Sequence, residues 1–321
     1  MTSKFVPPTE AKKLEAIGLE KDSTYNSYFP YIWKRGQTGN RIEPPIKYFN
    51  PNDFPDIPKP KRGDWLRERK EPGQSFKRFS TGQRCHPIPR KNVIYIVPLE
   101  LYAEQKVDPD CLKTLCSYAG IFFGLPVKCM KPVIDLDGKG ALKSVSRRIN
   151  EDTGEPQANA SEIMAVLKGL KPKDAFCICG ITLCDIYPKD DWNFVFGLAS
   201  TMDETGVYSL ARYLPETREH PMLLRAVRVM CHEICHMFGM KHCVYFSCLM
   251  NGSNHAKEAI SRPTFLCPVC LRKLYFVCSF DIRERYQGML NFWENIPSLD
   301  GSDKPKIYAD DIEWLRGRLS K

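Results

Sequence analysis

The sequence predicts an α+β fold in which a twisted mixed sheet is backed by helices. Two observations indicate this class. From Lys91 onward, short apolar runs rich in β-branched residues alternate with segments of helical spacing, which is typical of strands that pair in parallel. Two later runs flank a short acidic turn, which indicates an added antiparallel pair. With 321 residues, 43% of them hydrophobic, the chain is long enough for one domain with a sizeable core and an extension.

The first ninety residues are predicted to form an extended or partly disordered extension. Twelve of the 25 prolines lie before residue 90, and proline fixes φ and removes a backbone donor. The stretch Lys59–Lys91 holds eleven Lys or Arg against three Asp or Glu, so most of the net charge of +9 resides there. Such charge suits nucleic acid, another acidic partner or an anionic membrane surface. Because no nucleic-acid fold signature accompanies it, we favour a solvated basic linker.

The elements after this extension follow in chain order. Apolar runs predict three strands: Val93–Val97, Val127–Cys129 and Ala175–Leu183. Helical spacing predicts two helices, one from about Pro109 to Phe123 with Asp108 as its N-cap and one capped by Ser161. The antiparallel pair is formed by Phe194–Ser200 and Gly206–Arg212.

Three further helices are predicted toward the end of the chain. The first begins near Pro221, and its apolar residues recur at intervals of three and four as far as Phe238, which gives it one face to pack on the sheet. An apolar stripe from Phe280 to Trp293 predicts a second amphipathic helix, and a last short one follows a polar linker at Asp310–Leu319.

Two histidines near the end of the first of these helices are placed to share one metal ion. His232 and His236 are four residues apart, so both project from one face of a helix. Gly239 allows a sharp turn, and His242 can then return to the same metal. Three neutral imidazoles leave one zinc position open for water, which is typical of a catalytic site. The alternative is that these are ordinary core histidines, but the glycine and the third histidine in register make the pattern far more specific than the first five residues alone.

Glu233 stands next to the first histidine of this motif. A carboxylate in that position can take the proton from a zinc-bound water and so act as a general base.

Four cysteines directly after the third histidine indicate a second, structural metal site. Cys243 and Cys248 form one pair, and Cys267 and Cys270 form another after a gap of eighteen residues. Two close pairs separated by a short stretch are typical of a closed four-thiolate zinc site. The alternative is a set of buried cysteines that act as small apolar residues. Because His242 and Cys243 are adjacent, the structural zinc would clamp the segment that carries the third histidine.

The run from His232 through Met250 to Cys270 resembles the archaemetzincins, a metzincin branch that pairs a three-histidine zinc site with a four-cysteine zinc site. The similarity extends over about residues 90–295. It implies a metzincin-like fold: a twisted mixed sheet with the active-site helix, and a smaller C-terminal subdomain beginning after Gly239. The sequence is thus predicted to form three segments: residues 1–90 as the extension, 91–296 as the peptidase domain, and 297–321 as a linker with a short helix.

The resemblance also implies a function. It predicts a zinc metallopeptidase with two zinc ions per chain and a peptide or protein substrate. Met250 would be the Met-turn methionine beneath the catalytic metal, although by residue type alone it reads as core filling. Gly197, Leu198 and Ala199 would lie on an edge strand that aligns the substrate, the alternative being an interior hairpin strand.

Composition sets the remaining expectations. No apolar run approaches the length that spans a bilayer, and the first residues lack a hydrophobic signal core, so we expect no membrane insertion. The chain has fourteen cysteines, but four of them have the spacing of a zinc site and no signal core is evident, so we expect free thiols rather than disulfides. The expected location is the cytoplasm, with the nucleus as a further possibility. We expect a monomer. The competing hypothesis is a zinc-stabilised binding protein of weak or no activity that acts through its basic segment; an intact Glu233 argues against it.

Overall fold

The computed structural model describes residues 5–18, 46–82, 85–136, 140–213, 222–296 and 306–321. The chain divides into two compact units. We call Cys85–Phe238 the sheet unit, and we call Met1–Arg84 together with Gly239–Lys321 the helical unit.

The strands of the described residues all belong to the sheet unit. They are β1 (Val93–Glu100), β2 (Val127–Cys129), β3 (Val133–Ile134), β4 (Arg147–Ile149), β5 (Pro156–Asn159), β6 (Ala175–Thr182), β7 (Asp185–Tyr187), β8 (Gly197–Ser200) and β9 (Thr205–Ser209). The α-helices of the described residues are α1 (Glu10–Ile17), α2 (Trp65–Glu68), α3 (Phe76–Thr81), α4 (Pro109–Phe123), α5 (Ala160–Leu170), α6 (Met222–Met237), α7 (Ala256–Ser261), α8 (Pro268–Cys278), α9 (Ile282–Asn295) and α10 (Lys306–Leu319). None of these helices is both long and apolar enough to cross a membrane.

The main sheet is mixed, as the sequence predicts. Its strand order is β2-β1-β6-β9-β8, and β3 also pairs with β1. Strand β1 is parallel to β2, β3 and β6, and β6 is parallel to β9. Every residue of the central strands β1 and β6 is buried, which is why both read as continuous apolar runs rather than as alternating ones.

Strand β8 closes the main sheet on one side through an antiparallel hairpin. Its residues pair with β9 from Gly197 opposite Tyr208 to Ser200 opposite Thr205. The turn between them contains Glu204 in the left-handed region, with a φ of 53°. The predicted antiparallel pair is therefore confirmed, and β8 lies at the end of the strand order, where the sheet has an edge.

Helices cover both faces of this sheet. Helix α5 packs with Ile163 and Leu167 in the same core cluster as Val97 of β1. On the other face, Phe238 just after α6 stacks on Phe176 of β6 with ring centroids 4.3 Å apart. Phe123 of α4 stacks on the same Phe238 ring at 5.7 Å. The end of α6 is thus fixed by aromatic contacts to both the sheet and α4.

A second, three-stranded sheet was not predicted from the sequence. Its order is β4-β5-β7. Strand β4 is antiparallel to β5, and β5 is parallel to β7. Beside it, the guanidinium of Arg148 donates to the carbonyls of Asp190, Trp192 and Asn193 at 3.0, 2.6 and 3.0 Å. These bonds fix the loop that leads into β8.

Helix boundaries agree with the sequence in most places. Asp108 caps α4, and its carboxylate accepts from the Cys111 amide at 2.7 Å. The predicted cap of α5 is wrong: Asn159 is the N-cap, and its side-chain oxygen accepts from the amides of Ser161 and Glu162 at 2.9 and 3.2 Å. The predicted start of the long helix at Pro221 lies outside the described residues, and α10 begins four residues earlier than predicted.

The helical unit joins both ends of the chain. Ile17, Phe49 and Phe79 are fully buried although they lie in the region predicted as an extension. Helices α1 and α3 both pack on α8, and the buried guanidinium of Arg272 on α8 donates to the Ile17 carbonyl. The predicted apolar stripe from Phe280 to Trp293 is buried, as expected of a core-facing helix. The two compact units are defined by contacts within the chain and do not coincide with the three predicted segments, whose boundaries lie at residues 90 and 297. The three-segment division stays a prediction.

Asn159→Ala should lower the free energy of unfolding by about 1 kcal/mol, because it removes the N-cap oxygen that satisfies two backbone donors of α5. Urea denaturation followed by circular dichroism would measure the change. Ser161→Ala is the matched control, since the Ser161 hydroxyl donates only an exposed hydrogen bond to the Pro188 carbonyl. Equal effects of the two substitutions would contradict the assignment of the cap.

Candidate metal centres

The four cysteines predicted to bind zinc lie together inside the helical unit. Each is at most 2% exposed, and their sulfur atoms all lie within 4.8 Å of one another. The sulfurs of Cys243 and Cys267 are 3.6 Å apart. Four sulfurs at the usual zinc distance in a tetrahedron would be about 3.8 Å apart. The donor set and its spacing therefore fit a zinc ion.

Backbone amides point at two of these sulfurs. Tyr245 donates to the Cys243 sulfur at 3.5 Å, and Met250 and Cys267 donate to the Cys248 sulfur at 3.4 and 3.3 Å. Amides that donate to sulfur stabilise a thiolate more than a thiol. The local backbone is thus arranged for negatively charged sulfur.

The thiols of the cluster differ in acidity. Although burial raises the pKa of Cys243, hydrogen bonds from Cys248, Cys267 and Cys270 hold that pKa well below its usual range. Burial, and then the hydrogen bond to Cys243, raises the pKa of Cys248 well above its usual range. A buried thiolate needs a nearby positive charge, and a metal that replaces the remaining protons would supply it.

The loop between the first two cysteines and Met250 is closed by a single asparagine. Asn251 donates to the carbonyls of Cys243 and Phe246 at 2.8 and 3.0 Å and accepts from the Cys248 amide at 2.8 Å. The carbonyl of Met250, whose side chain is fully buried, accepts from the Cys243 amide at 2.7 Å. Asn251 was not singled out from the sequence, because it belongs to no periodic pattern; its only signal is its place next to the predicted Met-turn residue.

In the sheet unit, α6 presents two of the predicted histidines to each other. The Nε2 atoms of His232 and His236 are 3.0 Å apart, and their rings meet edge to face. Two nitrogens bound to one tetrahedral zinc would be about 3.3 Å apart. The hydroxyl of Thr201 donates to the His236 carbonyl at 2.8 Å, which ties this turn of the helix to the β8–β9 hairpin. The spacing of the two nitrogens is therefore compatible with two ligands of one ion.

Glu233, the predicted base, is 5% exposed and packs directly on the edge strand. A Cβ atom added to Gly197 would lie 2.5 Å from Cδ and 2.6 Å from Oε1 of Glu233. No side chain fits there, so Gly197 is the residue that lets the carboxylate approach β8. Leu198 and Ala199 continue the same strand and pair with Val207 and Gly206 of β9.

His242 belongs to the helical unit and is held by residues of the N-terminal region, by which we mean the described residues 5–18 and 46–82 of the same unit. Its Nδ1 atom lies 2.8 Å from Oε1 of Glu71, and its ring meets the Trp65 indole edge to face at 5.0 Å. Gly239, three residues earlier, has a φ of 89°, which favours glycine and fits its predicted role in a turn.

The side-chain amide of Gln74, in the same N-terminal region, forms two hydrogen bonds to the backbone just before His242. Gln74, which is 5% exposed, donates to the Gly239 carbonyl at 3.1 Å and accepts from the Lys241 amide at 3.0 Å. Neither Glu71 nor Gln74 was singled out from the sequence, because an isolated polar residue in a proline-rich stretch carries no spacing signal.

A further group of metal-binding residue types in the helical unit is explained by hydrogen bonds. His255 lies with Nε2 3.0 Å from Oδ1 of Asp64, and its Nδ1 accepts from the Glu258 amide at 3.2 Å. Glu258 in turn accepts from the amides of Trp65 and Asn254 at 2.8 and 2.7 Å. The group links residues 64–65 to α7 and is not assigned a metal.

Comparisons with known proteins identify relatives of the chain. A family model described as Peptidase family M54 matches residues 141–275. Archaemetzincin-2 of Rattus norvegicus is 35% identical over 295 residues, which is 81% of this chain and 80% of that protein. Archaemetzincin-2 of Homo sapiens is 36% identical over 292 residues, which is 80% of this chain and 78% of that protein. A solved archaemetzincin from Archaeoglobus fulgidus, complexed with malonate, is 27% identical with a TM-score of 0.43, covering 56% of this chain and 99% of that one.

Cys267→Ser should remove one zinc equivalent and lower stability, because three cysteines and a hydroxyl hold zinc far more weakly than four thiolates. Elemental analysis and thermal unfolding would measure both. Cys278→Ser is the matched control, since that cysteine is half-buried at the end of the same helix and outside the cluster. Unchanged zinc content in Cys267→Ser would contradict a metal site at these cysteines.

Gly197→Ala should reduce peptide hydrolysis at least tenfold while zinc content is kept, because the added Cβ must displace the Glu233 carboxylate or the edge strand. Steady-state cleavage of a fluorogenic peptide together with zinc analysis would test this. Gly169→Ala on α5 is the matched control, because nothing lies within 4 Å of a Cβ atom added there. Full activity in Gly197→Ala would show that the contact with Glu233 is not needed.

Proposed function

The chain belongs to peptidase family M54, the archaemetzincins, and we propose that it hydrolyses peptide bonds by general-base catalysis at a three-histidine zinc site. Family membership makes the protein a zinc metallopeptidase that acts on peptides or proteins. The proposed ligands of the catalytic zinc are His232, His236 and His242, and the proposed base is Glu233. The observation that carries the proposal is the 3.0 Å approach of the two Nε2 atoms on α6.

The donor atoms support this ligand set. His232 and His236 meet through Nε2. His242 follows His236 by six residues, and its Nδ1 is engaged by Glu71, so Nε2 is the atom that would bind the metal. Three imidazole ligands are the usual donor set of a catalytic zinc with an open position.

The chemistry divides between the metal and the protein. A zinc ion bound here would polarise the scissile carbonyl and make water a stronger nucleophile at neutral pH. Glu233 accepts the proton of the attacking water and then delivers it to the leaving amine nitrogen. Burial of its carboxylate against Gly197 holds that group in one place, so little motion is needed before the proton transfer.

The substrate is proposed to bind as an extended peptide along β8. This strand is at the end of the strand order, and its residues Gly197, Leu198 and Ala199 pair with β9 on one side. A peptide on the other side would add an antiparallel strand through main-chain hydrogen bonds. The absence of a side chain at Gly197 keeps the path beside Glu233 open to a peptide backbone.

The metzincin assignment adds a second zinc and a methionine floor. We place the structural zinc at Cys243, Cys248, Cys267 and Cys270, which makes two zinc ions per chain. Met250 is the proposed Met-turn residue. None of the fourteen cysteines forms a disulfide in the structure, which supports a location in a reducing compartment such as the cytoplasm. The protein is proposed to act as a monomer.

A binding function through the basic stretch is the second candidate. In the described part of Lys59–Lys91, cationic side chains such as Lys61, Arg62 and Lys70 are exposed, while Leu66, Phe76 and Phe79 are buried. This arrangement leaves the charge available to an acidic partner. Such binding would not depend on Glu233, so a variant at that position separates the two functions.

Glu233→Gln should keep both zinc ions and lower peptide hydrolysis at least a hundredfold, because a neutral amide cannot accept the proton of water. Zinc analysis and mass spectrometry of a diverse peptide pool, with the unaltered protein beside the variant, would measure this. Products seen only with the unaltered protein would also reveal the residues preferred beside the cut. Equal product patterns would contradict Glu233 as the base.

A further inference from the structure

The N-terminal region supplies a carboxylate to the third proposed zinc ligand. The side chains of Glu71 and His242 are 19% and 21% exposed, and Glu71 Oε1 lies 2.8 Å from His242 Nδ1. The same Oε1 accepts from Nε1 of Trp65 at 2.7 Å. The Trp65 ring in turn lies edge to face with the His242 ring. Glu71 is therefore itself oriented by the side chain that packs on the histidine.

The segment that carries Glu71 is anchored on both sides of that residue. Before it, the Trp65 amide donates to both carboxylate oxygens of Glu258, at 2.8 and 3.1 Å. After it, Gly73 has a φ of 67°, and an added Cβ there would lie 2.7 Å from both the Tyr245 hydroxyl and Val244 Cγ2. The backbone of this segment thus packs closely on the chain that follows His242.

Gln74 attaches the same segment to the residues just before His242 and to α8. Its side-chain oxygen accepts from the Lys241 amide at 3.0 Å and from the buried Lys273 ammonium at 3.1 Å. Because Gln74 binds the residues just before His242 and Glu71 binds the ring itself, backbone and side chain are positioned by the same short segment.

The hydrogen bond has a defined chemical consequence for a metal ligand. A carboxylate that accepts the Nδ1 proton fixes the neutral imidazole in one tautomer, with the Nε2 lone pair available to a metal. It also fixes the ring orientation and raises the basicity of Nε2. Such partners typically change metal affinity by about 10- to 100-fold.

We propose that Glu71 is a positioning residue for the catalytic zinc: its carboxylate accepts the Nδ1 proton of His242 and presents Nε2 to the metal. This inference rests on the proposed role of His242 as the third ligand. It assigns the N-terminal region a part in the metal site and distinguishes Glu71 from an ordinary surface partner of a charged histidine.

The test uses the full chain with zinc alone as the probe. Chelator competition would measure the dissociation constant of the weaker of the two zinc sites, which we assign to the histidines. Glu71→Gln, whose amide oxygen can still accept from Nδ1, should raise that constant about 10-fold, and Glu71→Ala about 100-fold. The four-cysteine zinc should be retained in both. Glu68→Gln is the matched control, because Glu68 lies on the same segment and accepts only from the Gly63 amide.

A spectroscopic measurement separates positioning from general support of the fold. Long-range ¹H–¹⁵N correlation spectra of histidine-labelled protein should show His242 as the Nδ1-protonated tautomer in the unaltered chain. Glu71→Ala should give a mixture of tautomers when the histidine site is kept free of zinc, because a metal on Nε2 would itself hold the proton on Nδ1; its urea midpoint should be close to that of Glu68→Gln. An unchanged tautomer and an unchanged zinc constant in both Glu71 variants would overturn the proposal.

His242→Ala distinguishes failure of this inference from failure of the proposed function. If His242→Ala weakens zinc binding but the Glu71 variants do not, His242 is a ligand and Glu71 does not position it. If His242→Ala leaves the weaker zinc site unchanged, the proposed ligand set is wrong and the inference fails with it. If both weaken zinc binding and Glu71→Gln adds nothing in the His242→Ala background, the proposal is supported.

Discussion

The bond between His242 and Cys243 is the constraint on which the proposed metal chemistry of this protein depends. Cys243 is held at its amide by the Met250 carbonyl, at its carbonyl by Asn251 and at its sulfur by the cysteine cluster. Its neighbour His242 therefore starts from a fixed backbone position. A ligand whose backbone is already ordered loses less conformational entropy when it binds a metal, so the cysteine cluster would favour metal binding by His242 in the proposed site.

In the sheet unit, too, the backbone positions the side chains of the proposed metal site. Helix α6 brings two imidazoles together simply because residues four apart share a helix face. The aromatic stack of Phe238 on Phe176 and Phe123 then fixes the end of that helix. The contact between Glu233 and Gly197 couples the proposed base to the proposed substrate strand, since any shift of β8 would reach the carboxylate. In the sheet unit, packing contacts thus set the positions of the two histidines and of the proposed base.

The parts of this architecture that the sequence predicts are those with a local, repeating signal. The buried parallel strands follow from continuous apolar runs, the hairpin of β8 and β9 from two such runs around an acidic turn, and helix α4 from its helical spacing. The candidate metal ligands follow from short spacings between histidines and between cysteines. The cap of α5 was assigned to Ser161 instead of Asn159 because both are good capping residues and only the backbone geometry decides between them. The small sheet with β4 was missed because polar residues such as Arg147 and Arg148 carry no strand pattern. Glu71 and Gln74 were missed for another reason: their partners lie more than 160 residues away in the chain.

The N-terminal region shows how a proline-rich, basic sequence can still be part of a folded core. Cationic side chains such as Lys61, Arg62 and Lys70 face solvent, whereas Phe76, Phe79 and Gln74 face inward. Lys273 and Arg272 on α8 are both 1% exposed, and their hydrogen bonds run to Gln74 and to the Ile17 carbonyl. Removal of this region would leave two buried cations without these acceptors, which is strongly unfavourable. Deletion of this region would therefore disturb the fold, and a loss of partner binding in the deleted protein could not be attributed to the lost charge. Substitution of the exposed cations alone tests the contribution of their charge. The two candidate functions would thus draw on different side chains of one segment: Glu71 and Gln74 for the proposed metal site, and the exposed cations for an acidic partner.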